Sequence, residues 1–395
     1  MIAAIVTSAV EFQQSSQSEG SRPGSAGRPT RHTVDLSASM DLASQAVANG
    51  SLRSAVVGIG DASGTLAVRA FPGSDGARVT SDSLYFLASI TKPIVATAVM
   101  QLVDEGRLDL HDPIQRFVPG FRGDGKEQVT PWHVLTHTSG VPDVDPASLR
   151  RSRPDARQML DRVCRESLEF PPGSRYSYAS DSFYLLAAIL SRLTGMEFPM
   201  ALRWRVLDAV GASDLTFDPR PQRSRIVKVH GVGVDNRIVQ ELMLRFLARA
   251  TLPGGGLWGT AEDLLRFGRA LLPMESGAGP RILSQAAIDE MTREQTAGIT
   301  GVAPDGTPRD PRYALGWGKP QPAGTVPSTV GTPPPTRVTV PASGRSFTHG
   351  GATGTRLWID PERELVFAFL TNSWGASDAA MYGVLADVYR AWDAA

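Results

Sequence analysis

Cysteine is almost absent from this 395-residue chain, which contains only Cys164. A single cysteine excludes an internal disulfide and any zinc or iron–sulfur site built from several thiolates. The chain also lacks an excess of charge, because forty Lys and Arg residues balance forty Asp and Glu residues. General binding to nucleic acid or to an anionic membrane needs surplus positive charge, so neither is expected. No apolar run reaches eighteen residues, and we therefore predict no membrane-spanning helix.

Lysine is scarce as well, since it occurs at only four positions and the other basic residues are arginine. Arginine stays charged in proteins, whereas a lysine in a suitable pocket loses its proton and can act as a base. The positions that keep lysine are therefore candidates for chemistry that arginine cannot perform: Lys92, Lys126, Lys228 and Lys319.

The order of apolar patterns along the chain predicts an α+β fold. Two β-rich runs flank each of the turns Asp61–Gly64 and Asp360–Arg363, which predicts one hairpin near each end of the chain. Apolar residues recur at helical spacing from Ser89 to Glu105 and in several segments between the hairpins. We therefore expect one antiparallel sheet built from both chain ends, flanked by helices and carrying an inserted, mostly helical lobe.

The domain organisation follows from the same patterns. Residues 11–34 are rich in Ser, Gln, Gly, Pro and Arg, so residues 1–34 are expected to form a disordered leader. Residues 35–106 and 250–395 are predicted to form the sheet domain, and residues 107–249 are predicted to form the inserted helical domain.

The strongest signal for chemistry is Ser89-Ile-Thr-Lys92, at the start of an apolar helix. Residues three apart on a helix share one face, so the hydroxyl and the amine can meet. A deprotonated lysine can activate a neighbouring serine as a nucleophile, and a helix N-terminus favours a developing oxyanion. The alternative is an ordinary serine and lysine on a solvent-exposed helix face. Because lysine is so rare here, we favour the catalytic interpretation.

Two further segments could complete such a site. Tyr176-Ser-Tyr178 lies in a turn, and a tyrosine hydroxyl can relay a proton between a nucleophile and a leaving group. His349-Gly350-Gly351 precedes a predicted strand, and its glycines would let a substrate approach backbone N–H groups. Each segment taken alone is more commonly explained by packing.

In this order and spacing, the three segments resemble the serine β-lactamase and penicillin-binding-protein superfamily. The resemblance is greatest to the branch that contains class C β-lactamases, D-alanyl-D-alanine carboxypeptidases and family VIII esterases, and it covers roughly residues 40–393. It includes further matching segments: Leu135–Gly140, Val206–Gly211, Gly254–Leu257, Thr260–Asp263 and Gly316-Trp317.

The resemblance implies a role for each matching residue. Ser89 would be the acylated nucleophile, Lys92 its proton acceptor and Tyr178 the proton relay, while Tyr176 matches the family's spacing less well. The oxyanion would lie between the backbone N–H groups of Ser89 and of the residue after the third segment. The implied substrate-binding positions are Ser180, His349, Gly350, Gly351 and Ala352.

Two departures from the family bear on the substrate. Ser180 stands where relatives that process β-lactams have an asparagine, and His349 stands where they have a lysine that holds the substrate carboxylate. Histidine is largely neutral at pH 7, since its reference pKa is about 6.5. Both departures favour neutral carboxylic esters. A β-lactamase, a D-amino-acid peptidase, an acyltransferase and a non-catalytic scaffold that keeps the fold remain as alternatives.

We expect no cofactor and no metal. His133 and His137 are four residues apart, as in metalloproteases, but Val134 replaces the glutamate that such a helix needs. The expected partner is a small ester or amide substrate, and the oligomeric state is left open. The apolar stretch Met1–Val10 has no basic flank, so we expect a cytoplasmic protein, with export as the alternative.

Overall fold

A computed structural model describes the chain in eight stretches, which together exclude the predicted leader apart from Val34. The described residues are 34–73, 78–144, 152–231, 235–273, 280–302, 308–320, 338–376 and 378–395.

The centre of the fold is an antiparallel sheet of five strands in which both ends of the chain take part. The described residues contain nine strands in all, of which this sheet uses five. In chain order they are β1 (Ala55–Asp61), β2 (Gly64–Phe71), β3 (Tyr85–Phe86), β4 (Trp258–Gly259), β5 (Gly301–Val302), β6 (Pro308–Arg309), β7 (Phe347–Gly350), β8 (Arg356–Asp360) and β9 (Leu365–Thr371). The sheet has the order β2-β1-β9-β8-β7, and the two predicted hairpins are its β1–β2 and β8–β9 pairs. β3 pairs with β4, and β5 pairs with β6.

Helices cover both faces of the sheet. They are α1 (Ser37–Ala48), α2 (Thr91–Asp104), α3 (Pro131–Leu135), α4 (Ala156–Arg165), α5 (Phe183–Thr194), α6 (Phe198–Leu202), α7 (Arg237–Ala250), α8 (Ala261–Arg269), α9 (Gln285–Thr292) and α10 (Ala379–Ala394). α1 and α10 pack on one face, and α8 packs on the other.

The pattern of side chains in β1 shows why the strand is apolar throughout. Ala55, Val57 and Ile59 belong to the hydrophobic cluster under α1 and α10, while Val56 belongs to the cluster under α8. Successive side chains of a strand point to opposite faces, so a strand between two helical layers has no exposed face. The described part of residues 107–249 contains helices and no strand. Together with the sheet and its flanking helices, it gives the α+β arrangement that the sequence predicts. The proposed domain boundaries stay a prediction.

Two helix ends differ from the sequence prediction. The segment predicted as one helix from Ser89 begins with a 3₁₀ turn, Ala88–Ile90, and the α-helix α2 starts only at Thr91. The sequence pattern also predicts a helix over Ala261–Leu272 headed by Thr260. α8 starts there, with the Thr260 hydroxyl accepting a hydrogen bond from the N–H of Asp263 at 3.1 Å, but it ends at Arg269, three residues early. Helix ends fray easily, and sequence patterns rarely define them to the residue.

Within the described stretches, no single helix is both long and apolar enough to cross a bilayer. Only together would α5 and the following segment 198–207 have that length and composition, and the two are bent by 77° relative to each other.

Candidate active site

Ser89 lies in the 3₁₀ turn immediately before α2, at a strained point of the backbone. The preceding residue, Ala88, has a φ of +48°, which is unfavourable for a residue with a Cβ. The Thr91 hydroxyl stabilises this turn, since it donates to the carbonyl of Ala88 at 2.7 Å and accepts from the N–H of Leu257 at 3.0 Å. Such strain is found mainly at functional sites.

Lys92 is completely buried one helical turn after Ser89. Its Nζ lies 3.2 Å from Oγ of Ser89, 3.0 Å from Oγ of Ser180 and 2.7 Å from the carbonyl oxygen of Gly254. A neutral amine has two N–H donors and one lone pair. It can therefore donate to Gly254 and Ser180 while it accepts from Ser89, whereas an ammonium would donate to all three oxygens, so the same contacts serve both protonation states.

The electrostatic environment of Lys92 favours the loss of its proton. Burial lowers the pKa of Lys92 to about 7, although the carboxylates of Asp143 and Asp181 act in the opposite direction. Desolvation disfavours a charged amine, and nearby negative charge stabilises it. A substantial fraction of Lys92 is therefore neutral at pH 7.

Asp143 holds the segment that carries Ser180, a role for which the sequence analysis had no signal. Its Oδ1 accepts hydrogen bonds from the N–H groups of Ser180 at 2.6 Å and Asp181 at 2.8 Å. Asp181 in turn accepts a hydrogen bond from the N–H of Val144 at 2.9 Å. Burial, followed by the charge of Asp143, raises the pKa of Asp181 to about 7.

Gly254 brings a second segment against Ser180. A Cβ at position 254 would overlap the carbonyl oxygen of Ser180 and would lie 2.9 Å from its carbonyl carbon, so only glycine fits. The β3–β4 pairing and a hydrogen bond from the N–H of Leu87 to the carbonyl of Leu257, 2.9 Å long, hold this segment beside Ser89. The Gly254–Leu257 segment noted in the sequence thus supplies a carbonyl acceptor for Lys92.

Tyr178 meets the serine and lysine pair from another part of the chain. Its hydroxyl is hydrogen-bonded to Ser89, and its ring centre lies 4.5 Å from Nζ of Lys92. The residue is 42 % exposed, yet burial of the hydroxyl raises the pKa of Tyr178 above its usual value, so the phenol is protonated at neutral pH. The ring of Tyr176 instead contacts the rings of His137 and Tyr313.

His349 is buried on β7 and is held in one tautomer. Its Nδ1 lies 2.9 Å from the carbonyl oxygen of Gly350, which can only accept, so Nδ1 carries the proton. Its Nε2 then accepts from the Tyr313 hydroxyl at 2.8 Å. Burial, followed by the charge of Lys92, lowers the pKa of His349 to about 3. The imidazole is therefore neutral at pH 7, as the sequence analysis expected.

A second histidine extends this arrangement. Nδ1 of His137 accepts from the N–H of Ala179 at 3.3 Å, so in the neutral ring Nε2 carries the proton and faces the Tyr313 hydroxyl at 3.3 Å. The His137 ring also lies 4.3 Å from the Tyr178 ring, centre to centre. No signal in the sequence indicated that His137 and Tyr313 would contact the residues of the candidate site.

The end of the third segment packs directly against the turn that carries Ser89. A Cβ at Gly351 would overlap the carbonyl oxygen of Leu87, and the Thr353 hydroxyl donates to the carbonyl of Phe86 at 2.9 Å. In the described part of the chain, the backbone N–H groups of Ser89 and Ala352 have no acceptor. Two free N–H groups on adjoining segments suit an oxyanion.

The structure therefore brings together candidate residues from three distant segments of the sequence. Ser89, Lys92, Tyr178 and Ser180 are joined by direct contacts, and His349 and Gly351 form the neighbouring wall. A hydroxyl, a buried amine, a protonated phenol and unpaired N–H groups in one place can carry out acyl transfer.

Comparison with known proteins agrees with this chemistry. A family profile described as Beta-lactamase matches residues 41–390. The chain is similar to esterase EstB of Burkholderia gladioli, with 32 % identity over 304 residues that cover 64 % of this chain and 73 % of the relative. It is also similar to penicillin-binding protein 4 of Amycolatopsis lactamdurans, with 32 % identity over 56 % of this chain and 60 % of that protein.

A solved structure, that of a family VIII carboxylesterase, has the same fold. It superposes with a TM-score of 0.70 over 90 % of this chain and 97 % of its own length, at 20 % sequence identity.

Proposed function

The chain belongs to the β-lactamase family and is a serine hydrolase, and we propose that it cleaves carboxylic esters through an acyl-enzyme on Ser89. The observation that carries this proposal is the buried amine of Lys92, 3.2 Å from the Ser89 hydroxyl and with its pKa lowered to about 7 by burial. A lysine with these properties is a base of suitable strength at neutral pH.

In the proposed acylation step, Lys92 accepts the Ser89 proton while Oγ forms a bond to the ester carbonyl carbon. The negative charge on the carbonyl oxygen is stabilised by the N–H groups of Ser89 and Ala352, and losing one such donor costs about 3 kcal/mol in related chemistry. The intermediate then collapses, the bond to the alcohol oxygen breaks, and Tyr178 donates its proton to that oxygen. The Lys92 ammonium restores the proton of Tyr178.

In the proposed deacylation step, a water molecule takes the place of the alcohol. It transfers a proton to the neutral Lys92 and attacks the acyl carbon. The bond from that carbon to Oγ of Ser89 then breaks, the Lys92 ammonium returns the proton to Oγ, and the acid is released. Ser180, whose Oγ lies 3.0 Å from Nζ, keeps the amine oriented through both steps.

The ester specificity is supported by the character of the third segment. The family's lysine would attract a carboxylate, whereas His349 is neutral because burial lowers its pKa to about 3. Similarity to an esterase over 73 % of that protein's length supports the same substrate class.

Similarity to a penicillin-binding protein supports a second candidate, a β-lactamase or D-amino-acid peptidase that uses the same residues. An acyltransferase, in which an alcohol or amine replaces water, is the third. Rates on a short-chain 4-nitrophenyl ester, a cephalosporin and a D-Ala-D-Ala peptide distinguish the first two, and a transfer product formed with an added alcohol identifies the last.

We expect the ester to have the highest kcat/KM, and Ser89→Ala and Lys92→Ala to lower it by about a thousandfold or more. Lys228→Ala is the matched control, because this lysine is exposed and lies outside the site. Full ester turnover by Ser89→Ala would refute the mechanism. An unreactive wild-type protein that is also not labelled by a fluorophosphonate would favour a non-catalytic scaffold.

A further inference from the structure

The outer face of α7 combines exposed aliphatic side chains with arginines. Ile238 is 70 % exposed, and Leu242, one helical turn later, is 36 % exposed. Residues three or four positions apart share one face of a helix, so Arg245 and Arg249 continue the stripe that Ile238 and Leu242 begin. Removing aliphatic side chains from water is favourable, so this face would gain from being covered.

Two cavities flank this stripe, and both are lined mainly by apolar and cationic side chains. The larger, of about 930 Å³, lies between α7 and the segment 223–228, and the smaller, of about 480 Å³, lies on the side of α7 that faces Arg153. Glu241 is the one carboxylate among the described residues that line them. The arginines that line the two cavities are Arg153, Arg220, Arg223, Arg237, Arg245 and Arg249.

These six guanidinium groups share only two carboxylates. Glu241 lies 2.7 Å from Arg223 and 2.8 Å from Arg245, so two cations share its charge. Asp218 lies 2.7 Å from Arg220. Within the described stretches, the other three have no carboxylate at ion-pair distance: Arg153, Arg237 and Arg249. The balanced charge of the whole chain therefore conceals a local excess of positive charge on this face.

The inner face of α7 packs beside the candidate active site. Leu244 and Leu247 are buried in one cluster with Phe86 and with Ala88, the residue before Ser89. An α-helix with its side chains is about 10 Å across. The exposed stripe is therefore separated by one helix from the turn that carries the nucleophile.

We propose that the outer surface of α7, the docking face (Ile238, Leu242, Arg245 and Arg249 with the arginines of the two cavities), binds an anionic lipid bilayer. Arginines are complementary to anionic headgroups, and the aliphatic side chains between them can enter the boundary of the acyl chains.

The apolar side chains of the docking face favour a bilayer over other polyanions. A nucleic acid would match the positive charge equally well, but Ile238 and Leu242 cannot stack on bases as aromatic side chains do. A protein partner would need a cavity shaped to receive the protruding Ile238, whereas a fluid bilayer adapts to it. The inference does not rest on ester hydrolysis, because lipid binding is measured without turnover.

Vesicle flotation tests the docking face. Wild-type protein is mixed either with pure phosphatidylcholine vesicles or with vesicles that contain one-third phosphatidylglycerol. We expect binding to the anionic vesicles to be about tenfold tighter or more. Added salt should weaken this binding, because salt screens the surface potential of the membrane.

Two variants separate the contribution of charge from that of apolar contact. Arg237→Glu reverses an unpaired charge at the first residue of α7, where an acidic side chain suits the helix N-terminus, and should weaken binding to anionic vesicles by about thirtyfold. Ile238→Asp should weaken it by about tenfold or more. Circular dichroism and urea denaturation show whether each variant is folded.

Matched controls lie on the edge strand β2, which is not part of the docking face. Arg69→Glu and Leu66→Asp make the same kinds of change at residues that are also exposed. Both should bind the anionic vesicles within about twofold of wild type, since neither residue would touch the membrane.

The same measurements can overturn the proposal. Equal binding of wild type to both kinds of vesicle, or undiminished binding by the folded Arg237→Glu and Ile238→Asp variants, would exclude a lipid-docking role for this face. Titrations with duplex DNA and with polyglutamate cover the other polyanions. Binding of either one without binding to vesicles would assign the arginines to a nucleic acid or to an acidic protein instead of a bilayer.

Discussion

Lys92 shows how burial of a single residue creates reactivity. A lysine in water is protonated at neutral pH and cannot accept a proton, but desolvation lowers the pKa of Lys92 to about 7. The carboxylates of Asp143 and Asp181 limit this effect. The titration that turns the amine into a base therefore falls in the physiological range.

The first prediction concerns the pH dependence of ester hydrolysis. Because the neutral amine is the active form, kcat/KM should be low below pH 6, rise through about pH 7 and reach a plateau above it. Asp143→Asn removes a negative charge that raises the pKa of Lys92, so the rise should move to lower pH. Stopped-flow or steady-state rates across pH 5–9 measure both profiles.

Asp181 needs a separate control, since burial raises the pKa of its carboxyl to about 7 as well. If the rise belongs to Lys92, it should persist in Asp181→Asn at somewhat lower pH. Loss of the rise in Asp181→Asn, or a shift to higher pH in Asp143→Asn, would assign the titration to another group.

Individual residues also show where sequence reasoning succeeds. Ser89 and Lys92 are one helical turn apart, so local geometry alone predicts that they meet. The contacts of Lys92 with Ser180 and Gly254 join positions 88 and 162 residues apart, and spacing carries no signal for them. Family resemblance supplied Tyr178 and Ser180, but Asp143 and Tyr313 became visible only in the structure.

At the scale of elements, short pairings align the segments that build the site. The two-residue strands β3 and β4 bring the glycine-rich turn beside Ser89, and Gly254 then contacts Ser180 without room for a side chain. The hairpins and most helices were predictable because their periodicity is local. The 3₁₀ turn before α2 was not, because it depends on contacts of Thr91 and Gly351 with distant segments.

The close approach at Gly254 leads to a prediction for Gly254→Ala. Its methyl group would meet backbone atoms of Ser180, which cannot rotate away, so the two segments must separate and Lys92 would lose its carbonyl acceptor. We expect kcat to fall by about a hundredfold and the free energy of unfolding to fall by about 1–3 kcal/mol. Ester kinetics and urea denaturation measure the two effects.

Gly383→Ala provides the matched control. Gly383 lies within α10, and a Cβ there meets nothing within 4 Å. This substitution should leave kcat unchanged and raise the free energy of unfolding by up to about 1 kcal/mol through helix propensity. Unimpaired kcat in Gly254→Ala would show that the contact does not position the amine.

At the scale of the whole molecule, the site lies where the sheet meets the helical part of the chain. β7 supplies His349 from the sheet edge, α2 supplies Lys92, and the segment before α5 supplies Tyr178 and Ser180. The α+β architecture was predictable from strands at both ends of the chain. The position of Lys319 at the edge of the sheet was not, because it depends on how a segment after α9 pairs with β7.

The most direct test of the central claim, that Ser89 becomes acylated, is to trap the intermediate. Protein mixed with 4-nitrophenyl acetate and quenched in acid during turnover can be digested and mapped by mass spectrometry. We predict one acetyl group on the peptide that contains Ser89, and none on that peptide in Ser89→Ala, which should also lack turnover. Turnover that continues in Ser89→Ala, or an acetyl group found reproducibly on a different residue, would contradict the mechanism.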